Sequence, residues 1–182
     1  MEKIGTTIGS YAPDFELPGI DGTVHHLARY LETSQAVCVV FISDRCPHVR
    51  SYLDRLKQLQ TDFQDQNVTL IGINSNDAIQ FPEECLENMM TFKATHHLNF
   101  PYVRDVTQDV AKGFDATRTP EAFLLDSKGV LHYRGRIDDN AEEPTAVKMP
   151  YLKQAIVQLL TGENILISQT EAIGCPIQWK KS

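Results

Sequence analysis

The chain has 182 residues and a formal net charge of −7, from 24 acidic and 17 basic side chains. Its length suits one ordinary globular domain, and a composition of 42% hydrophobic and 23% charged residues excludes a wholly disordered chain. Because an acidic surface repels phosphate backbones, we expect no nucleic-acid partner.

No segment has the composition of a membrane anchor or a secretory leader. The longest apolar run, 36–42, has seven residues, whereas a helix needs roughly 20 to span a bilayer. Residues 1–5 lack the apolar stretch of a secretory signal. We therefore expect a cytoplasmic protein with no membrane partner, built as a single domain over 1–182 whose last part, 162–182, is a C-terminal tail.

Hydrophobic patterning predicts the first half of the fold. Short strands at 12–17 and 23–27 flank a glycine-containing turn and form a β-hairpin. The run at 37–42 is continuously apolar and rich in β-branched residues, which is typical of a central strand covered on both faces. Apolar residues then recur with a helical period over 49–63, and 68–73 forms a second buried strand.

The second half continues with further helices and strands. The pattern predicts, in chain order, a helical segment opening at Pro82, an extended piece at 100–103, a helix at 106–114, strands at 121–125 and 130–134, and a last helix from Val147 to Leu160 that stops at Gly162. This order predicts the α/β class: a mixed central sheet with helices on both faces, plus the N-terminal β-hairpin.

Cys46-Pro47 lies between the first buried strand and the first long helix. Proline is favoured at the first helical position, which puts Cys46 at the N-cap, where free backbone N–H groups and the helix dipole face its sulfur. His48 in the first turn is near enough to donate to this sulfur, and Arg45 adds positive charge. Because these effects lower a thiol pKa, the pattern predicts a nucleophilic thiolate. The alternative is a buried, inert cysteine, the interpretation that suits Cys38 in mid-strand.

A second candidate feature, Arg118-Thr119-Pro120, directly precedes a predicted buried strand. The Thr-Pro step makes Pro120 a candidate cis-proline, which would leave neighbouring backbone groups free to dock an extended substrate. The alternative is an ordinary trans proline at a strand edge.

These features together resemble the thioredoxin fold, and within it the redoxin branch that comprises the alkyl hydroperoxide reductase and thiol-specific antioxidant (AhpC/TSA) group. The resemblance covers about residues 4–161 and is carried by Cys-Pro at a strand-to-helix junction, by Thr-Pro about 70 residues later and by the front end 12–17. The segments 74–77, 135–140 and 174–179 resemble a subgroup described only as thioredoxin-like. The resemblance implies Cys46 as the nucleophile and Pro120 as the cis-proline beside it.

The motif departs from its relatives at two positions. Thioredoxin-type reductases carry a second cysteine three positions after the first, where this chain has Val49. Typical peroxiredoxins carry proline seven positions before their cysteine and Thr or Ser three positions before it. Ser43 satisfies the second requirement, but Val39 replaces the proline. The chain is therefore assigned to a CPxV subgroup that lacks the second active-site cysteine of the motif.

A single reactive cysteine needs another thiol to complete a turnover. Cys175 is the candidate resolving cysteine, because the tail follows the last helix and can fold back over the strand ends; the alternative is a tail cysteine with no redox role. Otherwise an external thiol reductant would regenerate Cys46. Cys85 lies in an acidic stretch, and we expect no role for it. We also expect no cofactor and no metal, because adjacent histidine pairs such as His25-His26 do not place two imidazoles on one ion.

The leading functional hypothesis is a thiol oxidoreductase and antioxidant that attacks a peroxide, or a protein or small-molecule disulfide, with one nucleophilic cysteine. The catalytic candidates are Cys46, His48 and Cys175, and the substrate-binding candidates are Ser43, Arg45, Pro47, Arg118, Thr119 and Pro120. The alternative is a non-catalytic thioredoxin-fold module that binds a partner or senses redox state.

Overall fold

The computed structural model describes residues 7–182. The β-strands are β1 Glu16–Pro18, β2 Val24–His26, β3 Ala36–Phe41, β4 Val68–Asn74, β5 Tyr102–Arg104, β6 Arg118–Thr119, β7 Glu121–Asp126, β8 Leu131–Gly135 and β9 Cys175–Pro176. The α-helices are α1 Leu27–Thr33, α2 Pro47–Phe63, α3 Leu86–His96, α4 Asp109–Gly113 and α5 Tyr151–Thr161. Short 3-10 helices span Gln64–Gln66, Pro82–Glu84 and Pro144–Ala146. No helix in this part of the chain is long and apolar enough to cross a membrane.

Five strands form the central sheet, in the order β5-β4-β3-β7-β8. β3 runs parallel to β4, and β4 runs parallel to β5, because each pair is joined by a crossover that contains a helix. β7 pairs antiparallel with both β3 and β8. β1 and β2 form a separate antiparallel hairpin. The predicted α/β class, with its mixed sheet and N-terminal hairpin, is confirmed.

Two hydrophobic clusters cover the two faces of the sheet. β3 is buried throughout, and its alternate residues belong to opposite clusters. Cys38 and Val40 lie in the cluster that contains the buried residues of α2 and α5, whereas Val39 and Phe41 lie in the cluster that contains Leu27 of α1. This burial on both sides explains the unbroken apolar run in the sequence.

α2 is tied to the sheet along its length, which fixes the position of its first turn. Its apolar residues recur at helical spacing and pack into the cluster that contains Cys38. Near its other end, the buried side chain of Gln60 donates to the Val68 carbonyl at 2.9 Å and accepts from the Leu70 N–H at 2.8 Å. The residue before α2, Cys46, is therefore held at the carboxyl end of β3.

Several elements differ from the sequence prediction. The first strand spans Glu16–Pro18 and not 12–17, and the helix predicted at 106–114 spans only Asp109–Gly113. The last helix begins at Tyr151, not at Val147, because Pro150 disfavours helical backbone in the residue before it. Pro82 opens only a 3-10 helix, and α3 begins at Leu86 after the extended residue Cys85. α1 follows the hairpin directly, where the pattern predicts no helix.

Candidate active site

Cys46 occupies the N-cap of α2, as the sequence predicts. Its backbone is extended, with φ −74° and ψ 118°, and Pro47 is the first helical residue. No side chain of the described residues caps the helix, so the first N–H groups of α2 remain available beside the sulfur. The positive end of the macrodipole of this 17-residue helix lies at the same place and favours a thiolate over a thiol.

The structure joins Cys46 to Cys175 by a disulfide bond. β9 pairs antiparallel with β6, so that Cys175 lies opposite Thr119. The Cys46 Sγ atom lies 3.2 Å from the Thr119 carbonyl oxygen. The disulfide has no S–H group, so this contact can be a hydrogen bond only when Cys46 is a reduced thiol. The second sulfur of the site therefore comes from the tail and not from position 49.

The Thr-Pro step lies directly beneath the tail. The Thr119–Pro120 peptide bond is cis, which confirms the prediction for Pro120. The adjacent strand edge, expected to dock a substrate, is occupied by residues of this same chain: in addition to the β6–β9 pairs, the Ile177 N–H donates to the Thr117 carbonyl at 3.0 Å. Gly174 permits this approach, because a Cβ at that position would overlap the Thr119 carbonyl.

A cleft of about 260 Å³ opens beside the disulfide. Its lining includes Cys46, Pro47 and Cys175, and its other walls are formed by Ser43, Arg45, Asn76, Phe81, Glu84, Pro176 and Gln178. Cys46 is only 2% exposed, and both cysteines line this cleft, which gives a reactant a path to the disulfide.

Glu84 is fully buried in the wall of this cleft and accepts four hydrogen bonds. One carboxylate oxygen accepts from the Ser43 hydroxyl at 2.6 Å and the Asn76 amide at 3.2 Å. The other oxygen accepts from the Asp44 N–H at 3.1 Å and the Asn74 amide at 2.8 Å. Glu84 thus connects the loop before Cys46 to the loop after β4, and we call these residues together with Tyr102 and Arg104 the Glu84 cluster.

Arg104 supplies positive charge to the Glu84 cluster. Its guanidinium donates to the Asn74 side-chain oxygen at 2.9 Å and makes a short hydrogen bond to the Asn76 carbonyl. Burial lowers the pKa of this group from its ordinary value, whereas the nearby Glu84 carboxylate opposes the shift. The loop after β4 is therefore held from both sides by charged groups.

Asp44 is a second buried carboxyl group in this cluster. Its Oδ1 accepts from the Tyr102 hydroxyl at 2.7 Å, whereas its Oδ2 has no hydrogen-bond partner among residues 7–182. Burial raises the pKa of Asp44 to about 7; the Tyr102 hydrogen bond opposes this rise and the Glu84 carboxylate adds to it. A group that changes protonation near neutral pH thus lies two residues before Cys46.

The structure gives the charged candidates around Cys46 other partners. Arg45 pairs with Glu83 at 3.0 Å, and its guanidinium carbon lies 4.4 Å from the centroid of the Phe81 ring. His48 is partly buried in the first turn of α2, but no hydrogen bond joins it to Cys46 in the described part of the chain. Of the three effects expected to favour a thiolate, the helix terminus is the one that the contacts support.

Arg118 lies at a different cavity. It lines a cleft of about 500 Å³ between β6, β8 and the tail, together with Glu121 and Arg134, which form an ion pair at 3.2 Å. The fold therefore brings Ser43, Arg45, Cys46, Pro47 and Cys175 to the disulfide cleft, with Thr119 under the tail strand, and places Arg118 outside it.

The two remaining cysteines are free thiols. Cys38 is buried in β3, as predicted, and burial raises the pKa of its thiol to about 12. Cys85 is partly exposed at the start of α3. No group of three or more His, Cys, Asp or Glu side chains in residues 7–182 is placed to hold a metal ion.

Sequence patterning does not predict the Glu84 cluster. Asp44 and Asn74 carry a weak signal, because each is a polar residue at the end of a predicted buried strand, and the carboxyl ends of parallel strands meet at one edge of the sheet. Glu84 carries no comparable signal. In the sequence it is one of two adjacent glutamates, and the 3-10 helix Pro82–Glu84 buries it.

Comparison with known proteins places the chain among redoxins. Residues 8–134 match the model of the AhpC/TSA family. The thiol-disulfide oxidoreductase ResA of Geobacillus thermodenitrificans (strain NG80-2) is 27% identical over 128 residues, which cover 70% of this chain and 68% of that protein.

Solved structures show the same architecture. A hypothetical protein from Sinorhizobium meliloti 1021 has a TM-score of 0.90 at 36% identity, covering 97% of this chain and 96% of that chain. An uncharacterized conserved protein from Geobacillus kaustophilus has a TM-score of 0.88 at 35% identity, covering 97% and 94%. A thiol:disulfide interchange protein of the thioredoxin family from Chlorobium tepidum TLS, at 19% identity, has a TM-score of 0.65 and covers 85% and 98%. The fold is thioredoxin-like.

Proposed function

This chain belongs to the AhpC/TSA family, and we propose that it is a thiol–disulfide oxidoreductase whose redox pair is Cys46 and Cys175. The observation that carries the proposal is the bond between a cysteine at the N-cap of a long helix and a cysteine on the tail strand opposite Thr119. The similarity to ResA, which is named a thiol-disulfide oxidoreductase, supports the same class of reaction.

In the proposed reaction the reduced protein transfers two electrons to a substrate disulfide. The Cys46 thiolate attacks one substrate sulfur, which forms a mixed disulfide and releases the other substrate sulfur as a thiolate that takes up a proton. The Cys175 thiolate then attacks the Cys46 sulfur, which forms the Cys46–Cys175 bond and releases the second substrate thiol. An external thiol reductant returns the pair to the dithiol state.

A peroxide is the less favoured substrate. Cys46 would displace an alcohol or water from the peroxide and become a sulfenic acid, and Cys175 would condense with it to give the same disulfide and water. This reaction benefits from a cation at the peroxide, but the neighbouring Arg45 is paired with Glu83. Val39, in the place of the peroxiredoxin proline, gives no support either.

The proposal is tested by following the thiols of the reduced protein after addition of oxidised glutathione. The wild type should lose two thiols and form the Cys46–Cys175 bond. Cys175→Ser should stop at a mixed disulfide between Cys46 and glutathione, visible as an added mass on that cysteine. Cys46→Ser should not form an intramolecular bond. Cys85→Ser is the matched control, because Cys85 is a free, partly exposed thiol outside the pair, and it should behave as the wild type does.

Two results would contradict the proposal. A wild type that keeps all four thiols under these conditions would favour a non-catalytic binding module. A mixed disulfide that forms on Cys85 and not on Cys46 would show that the helix terminus confers no reactivity. Repeating the assay with hydrogen peroxide compares the two substrate classes, and we expect the disulfide to react faster.

A further inference from the structure

The tail is fastened to the domain on both sides of Cys175. On the upstream side, the Thr170 N–H donates to the Arg134 carbonyl at 3.0 Å, and the Thr170 hydroxyl accepts from the Arg136 N–H at 2.9 Å. On the downstream side, the chain from Ile177 to Lys180 crosses the loop after β4 and the start of α4. None of these contacts involves a sulfur atom, so each of them can form in the reduced protein as well.

Gln108 is the central residue of the downstream attachment. Its amide nitrogen donates to the Gln178 carbonyl at 2.9 Å and to the Ser75 carbonyl at 2.7 Å, and its amide oxygen accepts from the Lys180 N–H at 2.9 Å. All three partners are backbone groups, so this one side chain binds the tail at Gln178 and Lys180 and the rest of the domain at Ser75.

The loop after β4 completes this attachment at the same tail residue. The Asn76 side-chain oxygen accepts from the Gln178 N–H at 2.9 Å, and the Asp77 N–H donates to the Gln178 carbonyl at 2.9 Å. Asn76 also donates to the Glu84 carboxylate, so the tail is connected to the wall of the disulfide cleft.

The backbone of Gln108 indicates that this position is constrained. Gln108 is 1% exposed and has φ 67° and ψ 11°, in the left-handed region that residues other than glycine rarely adopt. Such a conformation persists where surrounding contacts hold it, and here those contacts include the three hydrogen bonds of the side chain and two backbone hydrogen bonds, to Asp105 and Lys112.

We infer that Gln108 is a positioning residue for Cys175. It keeps the tail docked in the dithiol state, so that the Cys175 sulfur stays close to the Cys46 sulfur. This inference rests on the proposed function. Its physical basis is effective concentration, because a sulfur on a segment held at both ends meets its partner more often than one on a tail held at one end. The reaction that Gln108 favours is that of the dithiol with oxidised glutathione, which gives the protein disulfide and two molecules of reduced glutathione.

The test is the equilibrium constant of this reaction, measured in glutathione buffers by counting free thiols. Gln108→Met keeps the volume of the side chain and removes its hydrogen bonds. Lys180→Pro removes one N–H donor from an exposed position and leaves Gln108 in place. We expect both variants to lower the equilibrium constant by about tenfold or more. Lys181→Pro is the matched control, since it removes the same charge and introduces the same residue one position farther along, and its constant should equal that of the wild type.

A second readout separates positioning from general stability. The pKa of the Cys46 thiol, followed by alkylation rate against pH in a Cys175→Ser background, should be the same with and without Gln108→Met, because Gln108 acts on the tail.

Equal equilibrium constants in the wild type, Gln108→Met and Lys180→Pro would overturn the inference and leave the proposed function intact. A wild type that forms no Cys46–Cys175 bond in any buffer would overturn the proposed function and the inference with it. Should Gln108→Met fail to fold, the equilibrium constant of Lys180→Pro decides the inference on its own.

Discussion

Asp44 and Glu84 place two buried carboxyl groups in one cluster near Cys46, but their surroundings differ. Each carboxylate oxygen of Glu84 accepts two hydrogen bonds. Asp44 has a donor for one oxygen, and the other has no partner in the described part of the chain. An unpaired buried oxygen disfavours the charged form of Asp44, because water no longer solvates it. At the residue scale, Asp44 is therefore a group through which stability depends on pH.

We expect stability to fall as the pH rises from about 4 to about 7 on account of Asp44. The folded-state pKa of about 7 lies above the ordinary value of 3.8, so between these two values the folded protein holds a proton that the unfolded chain has released, and stability falls with rising pH until the folded protein loses that proton too. Asp44→Asn removes this dependence and keeps an acceptor for Tyr102. The unfolding free energy of the variant, relative to the wild type, should rise by an amount on the order of 2–4 kcal/mol between pH 4 and pH 8.

Denaturant titrations of both oxidised proteins across this pH range measure the effect. Parallel stability curves for wild type and Asp44→Asn would show that Asp44 does not titrate in this window. Asp54→Asn is a suitable control, because Asp54 is an acid on α2 that stays 95% exposed although it pairs with Lys57 at 3.0 Å.

At the scale of elements, the tail strand β9 supplies the second cysteine of the site, because the Cys46-Pro47 motif carries only one. It contains two residues, Cys175 and Pro176, and within residues 7–182 it pairs only with the equally short β6. Such a pairing has few hydrogen bonds of its own, so it depends on close fit and on the attachments before and after it. The close fit is provided by Gly174, which packs on the Thr119 carbonyl without a side chain.

Gly174→Ala should release the tail strand and leave the central sheet intact. The added Cβ would overlap backbone atoms of Thr119, which cannot move aside as a side chain would. Hydrogen exchange of the reduced protein should show faster exchange over 170–180 and unchanged protection in β3 and α2. Ile173→Ala, at a half-exposed neighbour, is the control and should leave tail exchange unchanged. Tail protection equal to that of the wild type in Gly174→Ala would show that the fit at Thr119 is not needed.

The sequence predicts those strands and helices whose buried residues recur at a regular spacing. β3 has an unbroken apolar pattern because both of its faces are buried, and α2 has a helical apolar pattern because one of its faces is buried; their junction at Cys46 is predicted from these two patterns. β9 and β6 have no such pattern, since two residues form no periodicity and their pairing depends on a contact between distant parts of the chain. The role of Gln108 is likewise hidden, because its side chain binds backbone groups, which every residue carries.

At the scale of the whole molecule, the disulfide joins the start of α2 to the tail across a sequence separation of 129 residues. Closing so long a loop restricts the unfolded chain strongly, and the expected stabilisation is roughly 2–5 kcal/mol. The tail also reaches the core, since Ile177 is buried in the cluster that contains Phe15 and Val39. Oxidation should therefore stabilise the domain and join tail and sheet into one cooperative unit.

Reduction should lower the thermal midpoint of the wild type by roughly 4–20 °C, given a change of about 2–4 °C for each kcal/mol in a chain of this size.

Trp179 is the one tryptophan of the sequence and lies in the tail, so its fluorescence reports the tail while far-UV circular dichroism reports the sheet and helices. In the oxidised protein the two signals should change together, because the disulfide ties the tail to α2. In the reduced protein the Trp179 signal should change at a lower temperature than the circular dichroism signal, because only hydrogen bonds and the packing of Ile177 then hold the tail, with no covalent link to α2. Cys175→Ser should behave as the reduced wild type with or without reductant, whereas identical midpoints for oxidised and reduced wild type would contradict the link between disulfide and fold.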